Sequence, residues 1–217
     1  MSERGVILEQ LRLKANPYSG KLISFCGLDG CGKTTLIKRL EVYLSERGQD
    51  VVLTKQPTNA VRKSEIFRTF MDCENNSAFD YLSLSLLAAS DRVQHTNKVI
   101  APVLETGKTI ISDRYFYSCL ANLRARGYKD AKWIYEVSEY LIKPDVAFFL
   151  DIDVETAVKR VRSRIEERDR YIDMPLQYAL RDEYLEIASL NNGIVISTDQ
   201  SEDDAFEKVL EALNGHF

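Results

Sequence analysis

The chain of 217 residues has few of the residues that build metal centres or disulfide scaffolds. It contains four cysteines and two histidines, and no two cysteines form a C-x-x-C pair. This scarcity argues against a zinc site and against a disulfide-stabilised secreted domain. We therefore expect reduced thiols in a cytoplasmic protein. The cysteines are Cys26, Cys31, Cys73 and Cys119, and the histidines, His95 and His216, have no partner in the sequence pattern.

Long apolar runs and an excess of basic charge are missing as well. The apolar run at residues 146–150 stops at Asp151, far short of the ~20 residues that cross a bilayer. No apolar stretch of the signal-peptide type follows Met1, so we expect no secretory signal. The formal net charge is −4, which provides no basic surface for nucleic acid. We therefore expect neither a membrane nor a nucleic acid among the partners.

The chain does contain a glycine-rich segment, GLDGCGKT at residues 27–34, that matches G-x-x-x-x-G-K-[ST]. It lies between a predicted strand and a segment with apolar residues at helical spacing, which is the context of a phosphate-binding loop. In such a loop the backbone N–H groups surround a phosphate, Lys33 reaches the β- and γ-phosphates, and Thr34 ligates Mg²⁺. The sequence therefore predicts a nucleoside triphosphate site. Its residues are Gly27, Gly30, Cys31, Gly32, Lys33, Thr34 and Thr35.

Strands and helices alternate along the chain, which predicts an α/β fold. The predicted strands are residues 21–26, 51–54, 109–112, 146–150 and 194–197. Buried strands alternating with helices form a parallel sheet covered on both faces, with ligands beyond the carboxyl ends of the strands. We expect one domain over residues 21–217 and an extension over residues 1–20. The apolar residues from Val6 to Leu13 in that extension are compatible with a short amphipathic helix or with a mobile tail.

A phosphate-binding loop is shared by switch GTPases, ATPase motors and kinases. Guanine is recognised through Asn/Thr-Lys-x-Asp, and neither candidate segment, at residues 54–57 and 97–100, supplies the aspartate. Asp113 ends the third predicted strand, where it is placed to hold Mg²⁺ directly or through water. It is followed by Arg114 and not by the x-x-Gly of a GTPase switch. The pattern therefore favours a kinase.

Arginines supply the positive charge that phosphoryl transfer requires around the transferring group. Arg92 lies on a long predicted helix, residues 79–105, and Arg114 follows the third strand. Planar guanidinium groups suit phosphate recognition. An alternative interpretation of the arginines after residue 160 is a solvated helix face with ion pairs to nearby carboxylates. That cluster comprises Arg162, Arg164, Arg168 and Arg170, and the nearby carboxylates are Glu166, Glu167 and Asp169.

From residue 21 to residue 213 the chain resembles the thymidylate kinase family of nucleoside monophosphate kinases. The similar segments are the first strand and loop (23–35), the helix at 86–92, the Asp-Arg-Tyr signature at 111–115 with Ser118, and the strand region 143–153. The resemblance implies a P-loop nucleoside monophosphate kinase fold with a short lid at residues 164–174. It also implies ATP and Mg²⁺ as cofactors, a nucleoside monophosphate acceptor, conversion of dTMP to dTDP, and a homodimer formed through the long helices.

The resemblance also implies roles for individual residues. Asp29 contacts the 3′-hydroxyl of the acceptor sugar, Arg92 addresses the base, and Arg114 holds the acceptor phosphate. The loop lacks the arginine that some members carry there, so the lid should supply it, and Arg164 and Arg168 are best placed. The implied catalytic residues are Lys33, Arg114, Arg164 and Arg168, and the implied metal ligands are Thr34 and Asp113. The implied acceptor site comprises Asp29, Pro57, Ala88, Arg92, Arg114, Tyr115, Ser118 and Asn122.

Three features depart from the family's pattern. The Arg-Glu-Pro turn reads Lys-Gln-Pro at residues 55–57, the phenylalanine that stacks on thymine is Ala88, and the aromatic residue against the sugar is Asn122. The acceptor pocket is therefore wider and more polar than usual. Either aromatic neighbours such as Tyr115 or Phe67 fill the space and dTMP remains the substrate, or the acceptor is a different, bulkier nucleotide-like molecule. A nucleotide-binding relative that has lost transfer is a third possibility.

Overall fold

A computed structural model describes residues 9–74 and 77–214. The expectations for residues 6–8 and for His216 concern residues outside these ranges. The strands are β1 Leu22–Gly27, β2 Val51–Lys55, β3 Thr109–Asp113, β4 Val146–Asp151 and β5 Ile194–Ser197. They pair in parallel in the order β2-β3-β1-β4-β5. The predicted α/β fold with a five-stranded parallel sheet is confirmed.

The helices that connect these strands follow most of the predicted segments. They are α1 Lys33–Ser45, α2 Asn59–Arg62, α3 Glu65–Asp72, α4 Tyr81–His95, α5 Ala101–Glu105, α6 Phe116–Ala125, α7 Trp133–Ser138, α8 Val154–Arg162, α9 Met174–Leu190 and α10 Glu202–Leu213. A π-helical turn, Thr96–Ile100, joins α4 to α5, and a 3-10 turn, Ile165–Glu167, follows α8. No helix in the described ranges combines the length and the apolar character that crossing a membrane requires.

The central strand shows that the sheet is covered on both sides. All six residues of β1 are buried, and successive side chains of a strand point to opposite faces. Helix α1 contacts the sheet and α10. Helices α6 and α9 contact each other, and both contact β1. The core therefore consists of a sheet with helices on both faces, and its open edge for ligands lies at the carboxyl ends of the strands.

Two helical segments are divided in the structure. Residues 59–72 form α2 and α3 and not one helix, because Ser64 begins a new helix. The Ser64 hydroxyl oxygen accepts a hydrogen bond from the backbone N–H of Phe67 at 3.3 Å. Within the predicted long helix, residues 79–105, the helix type changes at Thr96.

The extension before β1 is not helical over residues 9–20, so the helix considered for it is not formed in its described part. Its backbone pairs with another part of the chain instead. Lys14 N–H donates to the carbonyl oxygen of Leu141 at 2.9 Å, and Lys143 N–H donates to that of Lys14 at 2.6 Å. Leu11 is buried in the core, and its N–H donates to Asn191 Oδ1. These contacts satisfy backbone groups that a helix would pair internally.

Candidate active site

The loop between β1 and α1 lies so close to its neighbours that only glycine fits at two positions. Gly27 has φ 138°, and a Cβ there would lie 2.6 Å from the carbonyl oxygen of Leu150 in β4. Gly30 has φ 86°, and its Cβ would lie 2.2 Å from the carbonyl oxygen of Ala157 in α8. Both positive φ values also disfavour other residues. The loop is therefore fixed against the sheet and against the helix that leads into the predicted lid.

Lys33 and Thr34 occupy the first turn of α1, directly after this loop. The Lys33 side chain is buried, and its Nζ donates to the carbonyl oxygens of Leu28 at 2.6 Å and Gly27 at 3.1 Å. Thr34 and Thr35 are exposed. A helix N-terminus carries partial positive charge on its free N–H groups. The loop thus holds an ammonium group at a helix N-terminus, which is the arrangement of an anion site.

Asp113, at the end of β3, has one carboxylate oxygen available for a ligand. Its Oδ2 pairs with Lys55 Nζ at 2.7 Å, whereas Oδ1 is buried and has no hydrogen-bond partner among the described residues. Burial would raise the pKa of Asp113, but Arg114, Lys33 and Lys55 lower it below its ordinary value. An ionised, unpartnered oxygen fits a Mg²⁺ ligand, because Mg²⁺ uses one or two carboxylates together with phosphate oxygens and water.

No group of three or more histidine, cysteine, aspartate or glutamate side chains in the described ranges could hold a metal by itself. Thr34 and Asp113, the residues that the family resemblance implies as Mg²⁺ ligands, both lie at the carboxyl edge of the sheet.

Arg114 follows Asp113 with an unusual backbone, which directs its side chain into the cleft. Its φ is +70°, a conformation that costs a non-glycine residue roughly 1–2 kcal/mol. Its N–H donates to the carbonyl oxygen of Phe25 at 2.8 Å, and Ser112 Oγ donates to its carbonyl oxygen at 2.6 Å. These two bonds hold the strained conformation in place.

The Arg114 guanidinium is held by three acceptors. It donates to the carbonyl oxygen of Gly27 at 3.0 Å, to Tyr184 Oη at 2.9 Å and to Asp29 Oδ1 at 2.5 Å. Tyr184 in turn donates to Ser118 Oγ at 3.0 Å, and burial raises the pKa of Tyr184 to about 12. Tyr184 therefore stays protonated near neutral pH and supports both Arg114 and Ser118. Sequence reasoning did not find Tyr184, since it lies in α9, far from every motif.

Asp29 connects the phosphate loop to the predicted lid. Its side chain is 40% exposed and pairs with Arg114 and, at 3.4 Å, with Arg170 Nη1. Burial alone would raise the pKa of Asp29, but Arg114, Lys33 and Arg170 hold it well below its usual range. Asp29 is therefore an ionised hydrogen-bond acceptor at the cleft surface.

Arg170 is the lid arginine that reaches the cleft in this structure. Besides Asp29, it contacts the carbonyl oxygen of Met71 at the end of α3 through Nε at 3.1 Å, and Glu167 at 2.8 Å. The two arginines favoured from sequence, Arg164 and Arg168, are exposed instead. The short 3-10 turn explains the difference, since it reorients the chain after α8. A continuous helix face, the alternative interpretation, is not formed there.

Arg92 is the most unusual cation of the cleft. It is 3% exposed, its Nη1 donates to the carbonyl oxygen of Ala88 at 2.8 Å, and its Nε has no hydrogen-bond partner among the described residues. None of the ion pairs in the described ranges includes it. The neighbouring carboxylate, Asp91, is occupied by the N–H and hydroxyl of Thr58. Arg92 therefore carries a buried charge without an ion-pair partner among the described residues.

Three other residues of the implied acceptor site are buried or hydrogen-bonded within the protein. Tyr115 is fully buried and donates to the carbonyl oxygen of Ile142 at 2.6 Å, so it does not fill the space beside Ala88. Asn122 Nδ2 donates to the carbonyl oxygen of Ser118 in its own helix. Pro57 is buried and follows a cis peptide bond. Tyr115 is therefore too deeply buried to contact a ligand in the cleft.

A cavity beside Asp29 is lined by Arg170 of the arginine cluster and by residues that the sequence analysis did not single out. Among the latter are Phe70 from α3, Arg126 after α6 and Tyr171 of the predicted lid. Phe70, and not Phe67, supplies the ring of α3 that lines the cavity. No motif marks these residues, because they meet only through the packing of three separate segments.

The sheet topology, the glycine loop and the arginine-lined cleft define a P-loop nucleoside monophosphate kinase. The profile of the family described as thymidylate kinase matches residues 25–209. The chain therefore belongs to the thymidylate kinase family.

Curated relatives and solved structures agree with this assignment. A probable thymidylate kinase of Thermococcus kodakarensis is 39% identical over 169 residues, covering 76% of this chain and 82% of the relative. The thymidylate kinase of Maridesulfovibrio salexigens is 33% identical and covers 90% and 97% of the two chains. The Ehrlichia chaffeensis thymidylate kinase structure is 28% identical, with a TM-score of 0.69 and coverage of 89% and 98%. That of Candida albicans, 24% identical over 91% and 92% of the chains with a TM-score of 0.74, shows the same fold.

Proposed function

We propose that the chain transfers the γ-phosphoryl group of ATP to a nucleoside monophosphate, with dTMP as the leading acceptor and dTDP as the product. The observation that carries the proposal is the contact between Arg114 and Gly27. Through it, the arginine implied to hold the acceptor phosphate adjoins the loop implied to hold the donor phosphates. Phosphoryl transfer requires such adjacency, because positioning and charge neutralisation supply most of the catalysis. The names of the similar proteins support the choice of acceptor.

In the proposed reaction an oxygen of the acceptor phosphate attacks the γ-phosphorus of ATP. The bond from the γ-phosphorus to the β,γ-bridging oxygen breaks, and ADP leaves. Lys33 and Arg114 hold the donor and acceptor phosphates and neutralise their charge. Thr34 and Asp113 would hold Mg²⁺, which supplies further charge neutralisation at the donor phosphates when it is bound. Asp29 accepts a hydrogen bond from the sugar hydroxyl.

Residues 164–174 serve as the lid of this proposed enzyme. The contacts of Arg170 with Asp29 and Met71 support this role, because they join the segment to the phosphate loop and to α3. Arg164 and Arg168 remain the candidates for contact with the transferring phosphoryl group, since their exposed side chains are free of ion pairs within the described ranges. We assign Arg170 to the acceptor side, because it pairs with Asp29, the residue proposed to bind the acceptor sugar.

The acceptor is tested by measuring ADP release with dTMP, dUMP, dCMP, dGMP and dAMP in turn. We expect the highest kcat/KM with dTMP. A higher value with a purine nucleotide would favour the second candidate, a bulkier acceptor, for which the small side chains of Ala88 and Asn122 leave room. The Lys33→Ala variant controls for contaminating kinases. ADP release with none of the five would support a nucleotide-binding protein that lacks transfer.

The outer face of α4 is proposed as the homodimer interface. Leu86 and Leu87 are exposed on α4, and Val99 of the π-helical turn is exposed as well. Exposed apolar side chains favour burial against a second copy. Light scattering at micromolar concentration should give a dimer, and the Leu86→Glu variant should shift it to a monomer. A wild-type monomer would contradict this part of the proposal.

A cytoplasmic location is also proposed. All four cysteines are free thiols, and three of them are buried. Free thiols are typical of reducing compartments, where disulfides do not persist. Fractionation of cells with an antibody to the chain would test the location.

A further inference from the structure

The guanidinium of Arg114 has one edge that is held by neutral acceptors and one that is directed at the cleft. Its Nη1 donates two hydrogen bonds, to the carbonyl oxygen of Gly27 at 3.0 Å and to Tyr184 Oη at 2.9 Å. The other edge, formed by Nε and Nη2, has the Asp29 carboxylate as its hydrogen-bond partner among the described residues. Asp29 is 40% exposed at the cleft surface. The two Nη1 bonds therefore decide how the cleft-facing edge of Arg114 is oriented.

The Tyr184 side chain, which accepts one of these bonds, is itself held on two sides. Tyr184 is 4% exposed, and its ring packs edge to face against Phe149 in β4, with the ring centroids 6.5 Å apart. Its hydroxyl donates to Ser118 Oγ in α6 at 3.0 Å. A hydroxyl that donates its one proton to Ser118 keeps its lone pairs for Arg114. The Tyr184 oxygen is therefore an acceptor whose position and direction are both fixed.

The residue before Tyr184 joins α9 to α6 at a second point. Glu183 is 5% exposed and forms ion pairs with Arg124 of α6 at 2.7 Å and with Lys129 at 3.1 Å. Buried polar contacts that are paired on both sides make the surrounding packing rigid. The helix that carries Tyr184 is thereby fixed against the helix that carries Ser118.

We propose that Tyr184 is a positioning residue for the acceptor phosphate. It holds the Nη1 edge of Arg114, so that Nε and Nη2 present two parallel N–H groups to the phosphate, and it makes no contact with the nucleotide itself. Guanidinium and phosphate groups pair through two such parallel hydrogen bonds. The Gly27 carbonyl and the Tyr184 hydroxyl are neutral, so they orient Arg114 and leave its charge for the phosphate. The inference rests on the proposed kinase activity and adds a residue, outside every sequence motif, that orients the acceptor arginine.

The Tyr184→Phe variant tests the proposal, because it removes the hydroxyl and keeps the ring. Loss of this hydrogen bond is expected to raise the KM for dTMP by about three- to tenfold. The kcat should also fall, since the acceptor phosphate is less well aligned, and the KM for ATP should stay within about twofold. Titration calorimetry should show weaker binding of dTMP and unchanged binding of thymidine, which has no phosphate for Arg114 to hold.

Ser138→Ala is the matched control, since it removes another buried hydroxyl that makes two hydrogen bonds. Ser138 Oγ accepts from the N–H of Arg12 at 2.8 Å and donates to the carbonyl oxygen of Tyr135 at 2.5 Å. Both variants should lower Tm by a similar amount. The control should leave the KM for dTMP and the kcat unchanged, so a loss of stability alone does not account for the effect of Tyr184→Phe.

A double-mutant cycle shows whether Tyr184 acts through Arg114. In an Arg114→Ala background, adding Tyr184→Phe should not weaken dTMP binding further. The inference is overturned if Tyr184→Phe leaves the dTMP KM and kcat of an active enzyme unchanged, and the proposed function then still stands. Equal losses of dTMP and thymidine affinity, or the full Tyr184→Phe effect in the Arg114→Ala background, would also overturn it. If the wild-type protein binds dTMP but phosphorylates none of the five nucleotides, the proposed function fails, and the comparison of dTMP with thymidine still decides the role of Tyr184. A wild-type protein that binds none of the five would overturn both.

Discussion

Replacing Arg92 by methionine tests whether its charge serves a ligand or the fold. Arg92 is 3% exposed and makes one side-chain hydrogen bond, to the carbonyl oxygen of Ala88. No carboxylate pairs with it within the described ranges. Methionine has a similar length and no charge, so Arg92→Met removes the buried cation and leaves most of the packing in place.

The structure gives the direction and size of the effect on stability. Replacing buried ionic groups by apolar groups of similar volume stabilises proteins by about 1–4 kcal/mol. The lost hydrogen bond to Ala88 offsets about 1 kcal/mol of this gain. We therefore expect Arg92→Met to be more stable by up to about 3 kcal/mol. For a chain of this length, that is a rise in Tm of up to about 12 °C.

The same change should weaken acceptor binding. A hydrogen bond from a charged donor is worth about 1.5–3 kcal/mol, so the KM for dTMP should rise by about 10–150-fold. Differential scanning calorimetry and steady-state kinetics on the same preparation would measure both effects. A more stable and less active protein is the expected combination, because function maintains the unpaired charge.

Arg124→Met is the matched control, since Arg124 is equally buried but paired. It is 1% exposed and contacts Glu183 at 2.7 Å and also Glu186. Its removal leaves the buried carboxylate of Glu183 without its main partner, which should cost about 3–5 kcal/mol. The two variants should therefore shift Tm in opposite directions. If Arg92→Met lowers Tm as Arg124→Met does, and the KM for dTMP is unchanged, the reasoning about Arg92 is refuted.

Three further predictions concern the donor site, the lid and pH. Lys33→Ala should lower kcat by about 10²–10³ with an unchanged circular dichroism spectrum, and near wild-type turnover would contradict the phosphate-loop assignment. Alanine variants of Arg164 and Arg168 should lower kcat more than they raise the KM for ATP. Arg170→Ala should mainly raise the KM for the acceptor. If kcat is unchanged in all three variants, the lid has no catalytic arginine. Burial lowers the pKa of His95 in the folded state; Asp91 acts against this shift and Arg92 adds to it. As the pH falls, the unfolded state therefore takes up a proton before the folded state does. Stability should therefore decrease from pH 7 to below about 6.5, and a His95→Gln variant that keeps the same pH dependence of Tm would show that another group is responsible.

The sheet and the phosphate loop could be predicted because their signals are local. Each strand contains a short apolar run, and all five bounds are correct to within one residue. Glycine at positions 27 and 30 is required by the close approach of β4 and α8. The α2–α3 division also has a local signal, since Ser64 is a helix-capping residue.

The arrangement of the cleft could not be predicted in the same way. Arg114 and Tyr115 are adjacent in a signature that suggests a shared role, yet the positive φ of Arg114 sends the two side chains to the cleft and to the core. The contacts of Arg170 with Met71 and of Arg126 with Tyr81 join segments far apart in sequence. Such contacts depend on tertiary packing, which a single sequence does not display.

If Arg114 holds the acceptor phosphate as proposed, the double ion pair of Asp29 makes acceptor binding an exchange of anions. Arg114 and Arg170 already face a carboxylate before any phosphate enters. A phosphate that binds Arg114 therefore displaces the Asp29 carboxylate, so it replaces one ion pair by another. The affinity for the acceptor should then depend only weakly on ionic strength. The displaced carboxylate then becomes available to a sugar hydroxyl. A nucleoside without its phosphate releases no carboxylate, so the ion pair itself discriminates against unphosphorylated nucleosides.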